Sequence, residues 1–292
     1  MNEAALQTNE FSADLYPTKE QLEAAFKVIR MARLPSIPDL VRDIRKEISQ
    51  PASDLKKIAG LISQDPALAG QVLRIANSAL YGARVEIESI QQAVVRLGVS
   101  QVANLVAAEA VSSLADDVGP EVRRIWESNV EEARAAVAVS AYIDNLSADE
   151  AYLLGMMHDV GNIIFARIRE SLGNLKDRAY IAPVTVLDEE RRLIGTDHTV
   201  IGFLMAKHWK LPEVYALAIY HHHVPTCQHL SDSKLRSLVA LLKVVNYLTS
   251  LHLRDMELPE MIQYRFAARK ELLIPPDLWE ELLNEAAGGF HW

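Results

Sequence analysis

One cysteine, Cys227, stands in 292 residues. That excludes an intrachain disulfide framework and leaves no thiol cluster for zinc, which fits a reducing compartment. No apolar run approaches the ~18 residues that a membrane span needs. The start, MNEAALQTNEFSADLYP, has neither the basic nor the apolar region of a signal peptide, so a cytoplasmic protein without membrane contact is expected. Positive charge is short too. A net charge of −9 works against broad attraction to nucleic acid or anionic lipid, whose affinity comes from Lys and Arg at phosphates. The densest basic cluster, Arg42, Arg45, Lys46, Lys56 and Lys57, is interspersed with acids and reads as a solvated helical face. Period-two alternation is missing over any useful length, which leaves no half-buried strand and points to an all-α protein.

Half of the residues are hydrophobic, and they recur at helical spacing behind recognisable start signals. Thr18 with Gln21, Ser89 with Gln92 and Ser147 with Glu150 have capping-box spacing. Asp65 and Pro66 form an N-cap followed by a proline whose missing N–H costs nothing. Gly98 stands where a left-handed stop would end a helix, and Gly82 stands after the end of another. Pro35 and Pro38 force an extended bend between two early helices. The segment from Asp116 to Pro120 reads as a turn dividing the chain. A helix, a short Gly-containing turn and a second helix around Gly98 invite a DNA-binding reading. The second helix, QVANLVAAEAVSSL, has no Arg or Lys to reach phosphate or guanine, so a buried core helix is the better account.

The most informative stretch is Ser147 to Ile168, read as one helix that is apolar nearly all round yet carries His158 and Asp159 in the middle. An ionised carboxylate in such a place needs a cation, hydrogen-bond donors or a metal. A satisfied polar pocket in which His158 simply bonds a neighbour is the bland account. The other account draws in His198, which opens a later helix, and His221 and His222, which close the next. A helical hairpin could bring these together with the doublet. Five oxygen and nitrogen donors without a thiolate suit iron, manganese, nickel or zinc. His208, His223 and His229 read instead as exposed loop positions.

The phrases LPSIPDL, LISQDPALAGQVLRIANSALYG, SIQQAVVRLGVSQVANL, HDVGN and HTVIGFLMAKHWKLPEVYALAIYHHH resemble the HDOD family, the HD-related output domain of bacterial signalling proteins. The resemblance runs from about residue 33 to residue 251. It implies an N-terminal helical lobe (33–115) and an HD-like lobe (121–251), flanked by extensions at 1–32 and 252–292. The HD-like lobe is similar to HD and HD-GYP phosphohydrolases, in which His158, Asp159, His198, His221 and His222 would match metal-site positions. Three positions depart from that pattern. Ser128 stands where a first metal histidine is expected, Asn162 replaces a lysine, and Asn246 replaces a late aspartate. Loss of one nitrogen donor and one anionic donor leaves an incomplete ion shell. The resemblance therefore implies a non-catalytic regulator that needs no cofactor, holds a divalent metal weakly at most, and acts through other signalling proteins. It also leaves a groove between lobes for a small ligand. A metal-dependent phosphohydrolase is the alternative, and a DNA-binding regulator is the third reading.

Overall fold

A computed structural model describes residues 11–32, 39–48, 50, 54–77, 86–110, 119–144, 146–169, 172, 174–179, 182–251 and 259–290. Among these residues the regular structure is helical throughout, with no strand. A short 3₁₀ turn, Ala13–Leu15, precedes α1 (Lys19–Ala32). The N-terminal half continues as α2 (Asp39–Ile48), α3 (Leu55–Ile62), α4 (Pro66–Ala76), α5 (Ile90–Leu97) and α6 (Val99–Ala110). Then come α7 (Pro120–Ser140), α8 (Ala148–Met157), α9 (Val160–Ile168), α10 (Asn174–Ala179), α11 (Thr185–Ile194), α12 (His198–His208), α13 (Glu213–His221) and α14 (Ser233–Ser250). The chain closes with α15 (Pro259–Leu272) and α16 (Pro276–Gly288). No helix among the described residues is long and apolar enough to cross a membrane.

The start signals act as their chemistry dictates. Thr18 and Gln21 exchange side-chain and backbone bonds at the head of α1. Ser147 and Glu150 do so at α8. Asp65 accepts from the Leu68 N–H at α4. Ser89 caps α5 by accepting from the Gln92 N–H, but the Gln92 side chain reaches the Glu88 N–H, one residue before the position a capping box would use. Gly98 does take a positive φ of 96°, yet its ψ of 157° makes it an extended kink and not a left-handed cap. The expected bend at Pro35 and Pro38, the stop at Gly82 and most of the turn at Asp116 to Pro120 lie outside the described residues.

The centre of the fold is the pairing of α7 with α8, with α14 packed against α7 and α15 against α14. Gly155 makes the first pairing close: a Cβ there would lie 2.4 Å from the Ala133 Cα. Gly161 does the same for α9 and α12, where a Cβ would lie 2.3 Å from the His198 carbonyl oxygen. The second contact sets how closely the α9 and α12 N-termini meet. From the N-terminal half, α6 packs on α8, and α1 reaches across to α9 and α12.

One expectation needs correction here. Ser147 to Ile168 is not a continuous helix: α8 ends at Met157, and Asp159 adopts φ −104° and ψ 14° before α9 begins. The break turns the doublet into a corner, so its two side chains leave the chain from different helix ends.

Candidate metal centre

The corner residues His158 and Asp159 are fully buried, and so are His198, His222 and His223. The Asp159 carboxylate is the hub. Its Oδ1 lies 3.3 Å from His198 Nε2 and 3.5 Å from His222 Nε2, which are themselves 3.4 Å apart. On the other side, Oδ2 accepts from the Lys176 ammonium at 2.6 Å. That same ammonium donates to both oxygens of Glu132, at 2.9 and 3.2 Å. His158 Nε2 stands 3.7 Å from Glu132 Oε2 and 3.6 Å from Asp159 Oδ2. Two donor sets suited to a cation therefore share Asp159: one with His198, His222 and His223, the other with Glu132 and His158.

Every ring is oriented from behind. His158 Nδ1 meets the Gly155 carbonyl at 2.9 Å, and His222 Nδ1 meets the Ile219 carbonyl at 2.6 Å. His198 Nδ1 lies 2.8 Å from Glu190, which also accepts from the His198 backbone N–H. His223 Nδ1 faces the Tyr264 hydroxyl oxygen at 3.3 Å, while that hydroxyl donates to the His222 carbonyl. A neutral imidazole whose Nδ1–H is engaged presents its Nε2 lone pair to the opposite side. Carboxylate or carbonyl support behind a histidine is the usual arrangement at metal ligands.

The electrostatics follow from burial and from these neighbours. Burial works against the Asp159 carboxylate, but Lys176 and the surrounding imidazoles outweigh it and hold its pKa well below the ordinary range. Burial likewise disfavours the His198 imidazolium, yet Glu190 and Asp159 overcome this and raise its pKa to about 9. The same two carboxylates would favour a bound metal, which would compete with that proton for His198. Burial lowers His222 to about 4 and His223 well below its usual value, so both rings are neutral. His158 Nε2, Asp159 Oδ1 and His223 Nε2 are buried with no hydrogen-bond partner. Orphaned acceptors of this kind, gathered around one carboxylate, fit a divalent cation.

The placement departs from the sequence reading in several ways. His221 is not in the cluster; it faces the other way, against the Leu15 carbonyl at 2.8 Å, because successive residues at a helix end diverge by about 100°. His223 is not an exposed loop residue but is fully buried and takes the place expected of His221. His208 and His229 are exposed, as read, but His208 closes α12 and is not in a loop. Ser128 lies half-buried on α7, where the inward residues are Asn129 and Glu132. Asn162 and Asn246 are fully buried with neither end of either amide partnered. Glu132, Lys176 and Glu190 were missed. Glu132 shares a stripe with Ile125 and Asn129 on a helix where the neighbouring acids Glu127 and Glu131 are exposed, and that register was the available signal. Lys176 sits in a six-residue polar helix with no periodicity to read.

A second polar region joins the halves of the chain. A groove of about 830 Å³ runs between α2 and α6 on one side and α8 and α13 on the other, lined by Arg42, Arg45, Lys46, Asn104, Asp149 and Tyr215 among others. Asn104 donates to Asp149 at 2.8 Å and Tyr215 to Glu150 at 2.7 Å.

With this geometry in view, the comparisons are specific. The HDOD domain profile matches residues 34–225, well over half of the chain, and the chain belongs to the HDOD family. It is 28% identical over 202 residues to an uncharacterised protein of Treponema pallidum (strain Nichols); the match covers 67% of this chain and 39% of that protein's length. Its fold is similar to that of a Shewanella amazonensis SB2B protein called a "putative metal-dependent phosphohydrolase", at TM-score 0.63 and 18% identity, covering 94% of this chain and all of the other. It is also similar to a "putative signal transduction protein" of Marinobacter aquaeolei VT8, at TM-score 0.62 and 20% identity, covering 94% of this chain and 65% of the other.

Proposed function

We propose that this chain is a signal-transduction module that works by binding protein partners and does not turn over a substrate. The observation that carries this reading is the Lys176 ammonium, seated between Asp159 and Glu132 with all three side chains fully buried. A phosphohydrolase that uses two metals needs both cation positions to clamp the attacking and leaving oxygens. Here one position is filled by a side chain that coordinates nothing and activates no water. Asn162 and Asn246 add no charge where the related enzymes have lysine and aspartate, so stabilisation of a phosphoryl transition state is weaker still. The groove between the halves, lined by side chains of both signs, is where a partner or a small ligand would act.

Turnover is the deciding measurement. Purified protein supplied with Mn²⁺ or Fe²⁺ is expected to leave phosphate monoesters and cyclic dinucleotides intact. Robust hydrolysis that Asp159→Asn abolishes would defeat the proposal. The hydrolase reading keeps one specific support, the imidazole side of Asp159, where Asp159, His198, His222 and His223 would hold an ion capable of polarising a bound water.

A further inference from the structure

Arg45 stands half-buried in the groove between α2/α6 and α8/α13, with part of its guanidinium unused. Its Nη1 donates to the Lys210 carbonyl at 3.3 Å. Nε and Nη2 are closed off from solvent and have no hydrogen-bond partner. The nearby acids are committed elsewhere. Asp39 and Asp43 face Arg42 at 2.7 and 3.9 Å, Glu47 pairs with Lys57, and Glu150 pairs with Lys234 at 2.9 Å. A guanidinium keeps its charge even where burial lowers its pKa, as it does here, so this one is charged without a counter-ion. Leaving such donors unmatched costs free energy until an acceptor arrives. The Nε–H and the adjacent Nη2–H point the same way, and this edge of a guanidinium meets two oxygens of one carboxylate or phosphate.

A second unmatched group belongs to the same groove. Asp149 is 1% exposed; its Oδ2 accepts from Asn104 at 2.8 Å, and its Oδ1 is buried with no partner. Arg45 and Asp149 do not pair with each other, which leaves both for an occupant. Lys46 and Lys210, exposed at the rim, add positive charge on the Arg45 side. The volume, about 830 Å³, falls within the roughly 300–1,000 Å³ of small-molecule sites.

We infer that the floor of this groove binds a small molecule with two polar ends: a phosphate or carboxylate received by the Nε–Nη2 edge of Arg45, and an N–H donor received by Asp149 Oδ1. Side-chain rotamer changes of the kind common at binding surfaces would bring the enclosed edge of Arg45 onto the ligand. The inference rests on the reading of the groove as the working surface and divides it in depth. Exposed Arg42 and Lys46 are left for a protein partner, and the covered pair below takes the small ligand.

Calorimetric titration of the full chain in EDTA supplies the test, since chelation keeps metal-held phosphate at the buried histidines out of the measurement. Inorganic phosphate and acetate are the bare anions; AMP and glutamine are their counterparts that also carry N–H donors. Saturable binding of AMP, of glutamine or of both in the millimolar range or below is expected, tighter than that of the matching bare anion, and the pair that binds tells a phosphate site from a carboxylate site. Adenosine, which lacks the oxyanion, is expected not to bind. Arg45→Gln is expected to weaken the bound probe about tenfold or more, whereas Arg192→Gln, the same charge change on exposed α11, should move it by no more than about twofold. Asp149→Ala is expected to remove the advantage of the donor-bearing probe over its bare anion. No saturable binding by any probe, adenosine binding as tightly as AMP, equal losses in Arg45→Gln and Arg192→Gln, or an advantage that survives Asp149→Ala would each overturn the inference. Should Arg45→Gln fail to fold, Arg45→Lys keeps the charge and loses the paired edge, and unchanged affinity there overturns it equally. Hydrolysis of AMP on addition of Mn²⁺ would remove the non-catalytic reading and leave metal-free binding at Arg45 standing; absence of both binding and hydrolysis would do the reverse.

Discussion

Charge is handled in opposite ways in two regions of this molecule. Around Asp159, the side chains of Glu132, Lys176, Glu190 and His198 are buried together, and each faces a group of opposite sign within the fold. In the groove between α2/α6 and α8/α13, Arg42, Asp43 and Lys46 remain exposed to solvent while Asp149 beneath them is covered. The histidines that dominate the sequence thus belong to the region that no outside molecule reaches without rearrangement. The unremarkable arginines and lysines of α2 belong to the region that one can reach.

Breaking the closed region should have the largest effect. Lys176→Met leaves Glu132 and Asp159 buried without their cation, and loss of one partner of a buried ion pair costs about 3–5 kcal/mol. Urea unfolding is expected to show that loss in the metal-free protein, and added Zn²⁺ is expected to recover part of it by occupying the vacated position. A smaller effect tests how far burial controls charge nearby. Lys243, fully buried over the Tyr264 ring, is held by burial at a pKa of about 7, against 10.5 in the open chain. Below pH 7 both states carry the proton; between pH 7 and 10.5 only the unfolded chain binds it, so this residue makes stability rise with pH. Relative to Lys243→Met, the unaltered protein should gain on the order of 2 kcal/mol between pH 7 and 9, measured by denaturant titration. The smallest effect on stability belongs to the groove. Arg42→Glu combined with Lys46→Glu should change unfolding free energy by no more than about 0.5 kcal/mol per substitution, while sharply reducing partner retention in a pull-down from native lysate. Retention that survives this double change but fails in Lys176→Met would exchange the roles given to the two regions.

The helical architecture was readable because caps and periodicity are local properties. Ser147, Asp65 and Thr18 satisfy backbone donors within a few residues of themselves, and the structure has them doing so. The break at Asp159 was not readable, since every residue from Ala148 to Ile168 is compatible with helix and the interruption is imposed by what packs around it. Lys176, the ion-pair partner of Asp159, and Glu132, which shares that ammonium, lie on helices where lysines and acids ordinarily face water. His223 was assigned to solvent because it follows the last helical turn, but α15 covers that turn through Tyr264. Both errors share a cause: long-range packing decides which polar residue is inside, and spacing alone does not carry it. Ser128, which stands where the resemblance places a first metal histidine, is half-buried beside the inward Asn129.

Tyr264 has one more implication. It stands beyond residue 225, where the family match ends, yet its hydroxyl holds the His222 carbonyl and backs His223. At the other end, the Leu15 carbonyl, ahead of residue 34, fastens His221. The stretch that the family profile matches therefore lacks two of the groups that aim its histidines. Both flanks must travel with it, and any transplant that trims them would deliver histidines without the scaffolding that aims them.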